Sequence, residues 1–292
     1  MLDTEKRGRR HFPAEKASVP FFPDPARRFG GIARLYGAAG MTRIAAGHVC
    51  VVGVGGVGSW AAEALARSGV GAITLIDMDH VAESNINRQV VADSTTLGMA
   101  KIEVMARRIA AINPHCAVHL VDDFVTVANA AELLPGRYDF VIDCADDFRV
   151  KAEIVARCRR ARSPVVTVGG AGGRLDATRV RLADLSRTEH DPLLAKVRKL
   201  LRARYGFTRS AGRRFDVPCV YSAEQVVFAL AGGEVCRDKR RADAVTGLSC
   251  AGGLGSATHI TASFAFVAVG HVLKKLAARQ APKQPTQEGG HE

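Results

Sequence analysis

The chain has 292 residues, 47% of them hydrophobic and 24% charged, enough apolar material for a large buried core in one domain or two closely joined ones. Its 41 Lys and Arg outnumber 29 Asp and Glu for a formal charge of +12, which suits a polyanionic partner such as a nucleic acid. Seven scattered cysteines with no C-x-x-C pair exclude a disulfide framework and a zinc knuckle, and the charged opening MLDTEKRGRRHFP lacks the apolar run of a secretory signal, so a reducing cytoplasm is expected.

Residues 1–26 mix charges with four prolines and show neither helical nor strand periodicity, which predicts a disordered arm. From residue 46 the pattern HVCVVGVGGVGSWAAEALARSGVGAITLIDMD is a short apolar run, a glycine turn, an Ala-rich helix and a second apolar run, one β-α-β unit. A helix over 98–112, ended by Asn113-Pro114, leads to a strand at 117–121, and YDFVIDCADD supplies a further strand from Tyr138. A helix over 149–162 and the strand and glycine loop of SPVVTVGGAGG follow. Alternating strands and helices predict an α/β, Rossmann-like, mostly parallel sheet with helices on both faces over residues 27–170, followed by a smaller irregular region over 171–277 and a polar tail over 278–292. The apolar stretch 256–272 is about one turn short of the ~20 residues a bilayer needs and carries His259 and His271. A buried or dimer-interface helix is expected there, with no stable membrane insertion.

Gly53, Gly55 and Gly58 form G-x-G-x-x-G directly after a strand and before a helix, where backbone amides can approach a phosphate; Gly56 widens the same turn. Asp77 ends the next strand at the distance that places a carboxylate on a ribose hydroxyl, which serves a dinucleotide and ATP equally. The residues beyond separate the two cofactors. Asn85, Asn87, Arg88 and Gln89 in SNINRQ offer amide donors and a planar guanidinium where a triphosphate would lie, and a dehydrogenase has no use for them. Lys101 opens the following helix as a point charge for phosphates. Asp143, Asp146 and Asp147 in DCADD cluster at a strand's carboxyl end, where at least one is expected to hold magnesium.

GVGGVGS, the D-x-D of Asp77 and Asp79, N-x-N-R-Q, Lys101 and DCADD together resemble the ubiquitin-activating-enzyme (ThiF/MoeB-like) superfamily, whose members adenylate carboxylates. Within it, RFGGIARLYG, VGGAGG, HDPLLAKVRK and CAGGLGSAT are similar to the tRNA threonylcarbamoyladenosine dehydratase family, over residues 28–277. The resemblance implies that Gly53, Gly55, Gly56 and Gly58 cradle phosphate, Asp77 and Asp79 serve the ribose side, Arg88 and Lys101 bind the triphosphate, and Asp146 binds magnesium. It implies that Arg34 reaches a partner subunit's phosphates in a homodimer, that the substrate is tRNA bearing threonylcarbamoyladenosine, and it leaves room for a cysteine desulfurase or sulfur-acceptor partner. The chain departs from the superfamily's sulfur-carrier adenylyltransferases in lacking zinc cysteines. It departs from the thioester-forming members in that Cys219, Cys236 and Cys250 have no base beside them in sequence, and each is read as a small hydrophobe.

Asp191-Pro192 starts an amphipathic helix with Leu193, Leu194, Val197, Leu200 and Leu201 on one face and Lys196, Lys199, Arg202 and Arg204 elsewhere; Arg209, Arg213 and Arg214 extend the run with no acid before Asp216. A phosphate-backbone contact surface is expected here, which the resemblance assigns to tRNA, and the helix lacks the Trp or Phe of a membrane-surface helix. The rival readings are a sulfur-carrier adenylyltransferase, an NAD-dependent oxidoreductase and a nucleic-acid-binding scaffold that keeps an ATP site.

Overall fold

The alternation of apolar runs and helices builds a sheet buried on both faces. In a computed structural model describing residues 23–210, 212–230, 233–237 and 254–279, β1 (His48–Val52) and β2 (Ala72–Ile76) pair in parallel from His48 opposite Ala72, with α2 (Gly58–Arg67) crossing between them. After α3 (Lys101–Ile112), β3 (Ala117–Val121) joins the outer side of β2, whereas β4 (Phe140–Asp143) joins the other side of β1. The chain passes α4 (Ala130–Leu133) before β4 and α5 (Phe148–Arg160) after it, then adds β5 (Val165–Val168). With β6 (Val180–Asp184) and β7 (Pro218–Ser222), the full order is β3-β2-β1-β4-β5-β7-β6. Strand order therefore reverses between β1 and β4, and the crevice at their carboxyl ends is the place where open α/β sheets bind ligands.

Period-2 alternation along β1 divides the core between the two faces. Val49 and Val51 join a cluster with Leu65 of α2, Met105 of α3 and Phe264 of a C-terminal helix. Cys50 and Val52 join Ile154 and Val155 of α5 and Leu194, Val197 and Leu201 of the basic helix on the other face.

Helix α1 (Pro25–Ala45) has no counterpart in the periodicity reading. Asp24 caps it, accepting from the backbone N–H groups of Ala26 (2.9 Å) and Arg27 (3.3 Å), and Pro25 sits at the first turn, where its missing N–H costs nothing. Helix α1 thus starts inside the predicted arm of residues 1–26; residues 1–22 lie outside the described set, as do 280–292 of the predicted tail. The predicted region after 170 is joined to the same sheet: β6 (Val180–Asp184) runs antiparallel to β7 (Pro218–Ser222), which lies parallel to β5. The basic helix α6 (Pro192–Arg204) connects them, and β8 (Phe228–Ala229) with β9 (Val235–Cys236) forms a small separate ribbon. The apolar stretch becomes α7 (Thr258–Ala277), whose 20 residues meet the length of a bilayer span where the sequence suggested a shorter element, because the helix runs on through Lys274 and Lys275. Its apolar side, including Ile260, Phe264, Ala268, Val272 and Leu276, is buried in the core it shares with α2.

Candidate nucleotide-binding site

The turn after β1 depends on its glycines in different ways. Gly53 has φ +84°, and a Cβ there would lie 3.2 Å from the carbonyl oxygen of Cys144, so this position joins the loop after β1 to the loop after β4. At Gly58 a Cβ would stand 1.7 Å from the carbonyl oxygen of Gly53, which no side chain tolerates; here glycine lets α2 approach the strand. At Gly56 a Cβ would meet Thr261 at 3.1 Å and Cδ of Arg88 at 3.7 Å, whereas at Gly55 it would meet nothing within 4 Å. Two glycines close the turn, and Gly55 leaves backbone open to a ligand.

Asp77 is buried and accepts from Val54 N (2.6 Å) and Asp79 N (2.8 Å), which fixes the glycine loop to the end of β2. Burial pushes its carboxyl up, while the two backbone donors and Lys101 pull the other way. Two N–H donors do not fill the acceptor sites of a carboxylate, so a ribose hydroxyl can still be accommodated. The half-exposed Asp79 carboxylate pairs with the buried Lys101 ammonium at 2.7 Å, and its carbonyl accepts from Lys101 N (3.0 Å). Lys101 is therefore held at the loop by an acid.

The SNINRQ residues divide. Asn85 Oδ1 accepts from Ala82 N (3.1 Å) and closes its own turn, while Asn87 Nδ2 donates to the Ser256 carbonyl (2.7 Å) and its own carbonyl accepts from the Thr258 hydroxyl (2.7 Å). The sequence expectation that both amides face a triphosphate is corrected to this extent: in the structure these groups brace the loop and the start of α7. Gln89 is buried with its Oε1 unpartnered among the described residues. The Arg88 guanidinium donates to Ser84 O (2.5 Å) and Asn87 Oδ1 (3.2 Å), and its carbonyl accepts from Trp60 Nε1 (3.1 Å) and Thr261 Oγ1 (3.0 Å). Backbone anchoring on α2 and α7 thus sets the base of Arg88 beside Gly56.

DCADD also separates into three roles. Asp143, fully buried, lies 3.0 Å from Lys151 Nζ and accepts from Thr167 Oγ1 at 2.6 Å, while Lys151 also donates to the Asp143 carbonyl (3.1 Å). A carboxylate neutralised inside the fold is no ligand for an entering cation, so the expectation for DCADD narrows by one. Asp147 caps α5, accepting from Arg149 N (2.7 Å) and Val150 N (3.0 Å). Asp146 is exposed and makes no hydrogen bond or ion pair within the described residues. Those residues contain no group of three or more His, Cys, Asp or Glu that could hold a metal. A single carboxylate is still adequate for magnesium when phosphate oxygens and water fill the remaining positions, and Asp146 fits that donor set.

Arg34 stands exposed on α1, next to Leu35, which is 78% exposed. On α6, capped by Asp191, the core takes Leu194, Val197 and Leu201, with Leu193 and Leu200 half-buried. Lys196, Lys199, Arg204, Arg209 and Arg213 are exposed. Arg202 stacks over Phe215 (5.1 Å) and donates to Thr208 O (3.3 Å). Arg214 is 3.4 Å from Asp216 and 3.7 Å from Asp184, an acid far away in sequence. Near the carboxyl end of β4, the Phe148 ring lies under both Arg149 (4.7 Å) and Lys196 (5.4 Å), linking the DCADD loop to the basic helix.

Among the described residues, Cys219 and Cys144 are not poised as nucleophiles by their surroundings. Cys219 is fully buried, and burial, reinforced by Asp191, pushes its thiol well up. Burial likewise pushes Cys144 up to about 12. Cys236 is half-buried, and Cys250 lies outside the described residues. The sequence reading missed Lys151, although a lysine in line with Ile154, Val155 and Cys158 on an apolar stripe was a usable signal. It also missed Arg174, for which no local pattern exists.

Comparison with known proteins adds context. A model of the ThiF family matches residues 30–287. The chain is 51% identical over 255 residues to the tRNA threonylcarbamoyladenosine dehydratase of Escherichia coli K12, covering 87% of this chain and 95% of that protein. It is 47% identical over 250 residues to the Haemophilus influenzae protein of the same name, covering 86% and 93%. The E. coli dehydratase solved in complex with ATP superposes with a TM-score of 0.76 at 48% identity, covering 87% of this chain and 95% of the other. The E. coli molybdopterin-synthase adenylyltransferase is 37% identical over 129 residues, covering only 44% of this chain and 51% of that protein.

Proposed function

This chain belongs to the ThiF family, and on that premise we propose that it is an ATP-dependent enzyme that dehydrates threonylcarbamoyladenosine in tRNA to its cyclic form. A substrate carboxylate oxygen attacks the α-phosphorus of ATP, forming an acyl–phosphate bond and releasing pyrophosphate. A nitrogen of the substrate's own carbamoyl unit then attacks the activated carbonyl, closing a ring as AMP leaves. The nucleoside loses one water, whose oxygen departs in AMP. Both reacting groups belong to one side chain, so the second step gains from proximity.

The observation that carries the reading is the meeting of Gly53 and Cys144 at the strand reversal, which sets an open glycine turn beside an exposed carboxylate, Asp146, with no partner among the described residues. In this reading the glycine turn cradles phosphates, Asp77 takes the ribose, and Arg88 and Lys101 stabilise charge on the triphosphate, Lys101 exchanging Asp79 for phosphate. Asp146 holds magnesium, which would neutralise phosphate charge when bound. Arg34, exposed beside an exposed leucine, acts on the partner's nucleotide in a homodimer. The half over 27–170 activates the carboxylate, and the half over 171–277 binds tRNA through the α6 face. The protein works in the cytoplasm, and a cysteine desulfurase or sulfur acceptor is a further partner on the resemblance alone.

ATP–pyrophosphate exchange tests the assignment. It is expected with tRNA carrying threonylcarbamoyladenosine and absent with tRNA lacking it. Exchange supported only by a carrier protein ending in Gly-Gly would install the adenylyltransferase reading instead.

A further inference from the structure

A second concavity opens at the same carboxyl end of the sheet. It has a volume of about 460 Å³ and is walled by His190, Pro192, Arg198, Gln225, Phe228 and Arg237. It is open to solvent along one side, as a site for part of a large substrate would be. The segments that form it follow β7 and precede α6, and β7 lies two strands from β4, about 10 Å at the usual strand spacing.

Its walls are held by buried side chains that the nucleotide site does not use. Arg174, buried, donates to the carbonyls of Glu224 and His190, the latter at 2.7 Å, fastening the opposite walls to each other. His190 has φ +52°, a left-handed backbone rare for a residue with a side chain. The adjoining Asp191 is fixed twice, accepting from Gly170 N (2.9 Å) in the loop after β5 and from Leu194 N (2.9 Å) in α6. Arg198 donates to the Thr188 hydroxyl. The lining combines an exposed amide, Gln225, two guanidiniums, Arg198 and Arg237, and the edge of Phe228, which is otherwise buried against Val226: a donor and acceptor for a base edge and positive charge for phosphate or carboxylate. Pro192, Ala195 and Arg198 line the pocket along α6, and Lys199 and Arg202 follow Ala195 at the i+4 and i+7 positions of the same face.

We infer that this pocket receives the modified nucleotide itself, splayed out of the RNA that lies along α6, with its carboxylate-bearing side chain directed toward Asp146. This rests on the dehydratase reading and adds the residues that hold the target base. RNA recognition commonly works on unstacked loop bases held against aromatic and polar side chains, and a base held here would present its substituent along the sheet edge to the nucleotide site.

The test is the double substitution Gln225→Ala with Arg237→Ala, both exposed residues, assayed with tRNA carrying threonylcarbamoyladenosine. The expected result is a fall in kcat/KM for modified tRNA of about tenfold or more, with the KM for ATP unchanged. Free threonylcarbamoyladenosine nucleoside should compete with modified tRNA on the unsubstituted enzyme and lose that effect on the variant. An unchanged kcat/KM, or competition by the free nucleoside that survives on the variant, overturns the pocket while leaving the reaction standing. If the unsubstituted enzyme fails to dehydrate modified tRNA, the functional reading fails and the pocket falls with it. Arg198→Lys, which keeps the charge but not the guanidinium fork, gives the same readout should the double variant not fold.

Discussion

The ends of β1 and β4 and the ends of β5 and β7 lie along one edge of one sheet, yet they are fixed by different means. At the first pair, glycines adjacent in sequence shape the backbone, and one carboxylate, Asp77, pins the loop from the neighbouring strand. At the second pair, buried polar groups distant in sequence do the work: Asp191 with Gly170, and Arg174 with His190 and Glu224, while Lys151 with Asp143 and Thr167 ties β4 to β5. A site that grips phosphate needs open backbone N–H groups, which local sequence can supply. A wall shaped around a substrate needs fixed side chains, and these come from across the fold.

Substitutions that remove one kind of support and spare the other test the difference. The largest effect is expected from Lys151→Ala, which leaves the Asp143 carboxylate buried without its cation and should cost about 3–5 kcal/mol in chemical denaturation; a loss under about 1 kcal/mol would show that the pair is not holding β4, α5 and β5 together. Asp146→Ala should leave stability unchanged and lower kcat by roughly 10²–10³, with the loss not recovered by raising magnesium; full activity would remove Asp146 from the site. Reversing Lys199, Arg202 and Arg204 to Glu should weaken tRNA binding by roughly ten- to a hundredfold at low salt, flatten its salt dependence and leave the KM for ATP unchanged; unaltered affinity would place the RNA elsewhere. The smallest effect belongs to Cys219→Ala, a buried truncation that should cost about 1 kcal/mol and leave turnover intact. Loss of turnover at native stability would restore a thioester role.

The same contrast explains what the sequence disclosed. The glycine turn, the alternating strands and the basic helix are local patterns, and each is found within about three residues of its expected place: the strand at 117–121 matches β3, and the helix expected from 98 begins at Lys101. DCADD was legible as a cluster but not as three roles, because Asp143 and Asp146 differ only in what the fold sets against them. Helix α1 went unread because its glycines and charges weaken an amphipathic pattern, and Gly37, at φ 76°, breaks its helical geometry. Arg174 could not be found at all, since both carbonyls it clamps gain meaning only when β7 and the start of α6 come together.

The most direct test of the central claim is the mass of the nucleoside recovered from modified tRNA after incubation with the protein, ATP and magnesium. The account predicts a nucleoside lighter by one water, formed in step with AMP and pyrophosphate and only when ATP is present. A nucleoside of unchanged mass, with tRNA bound and ATP intact, would contradict it.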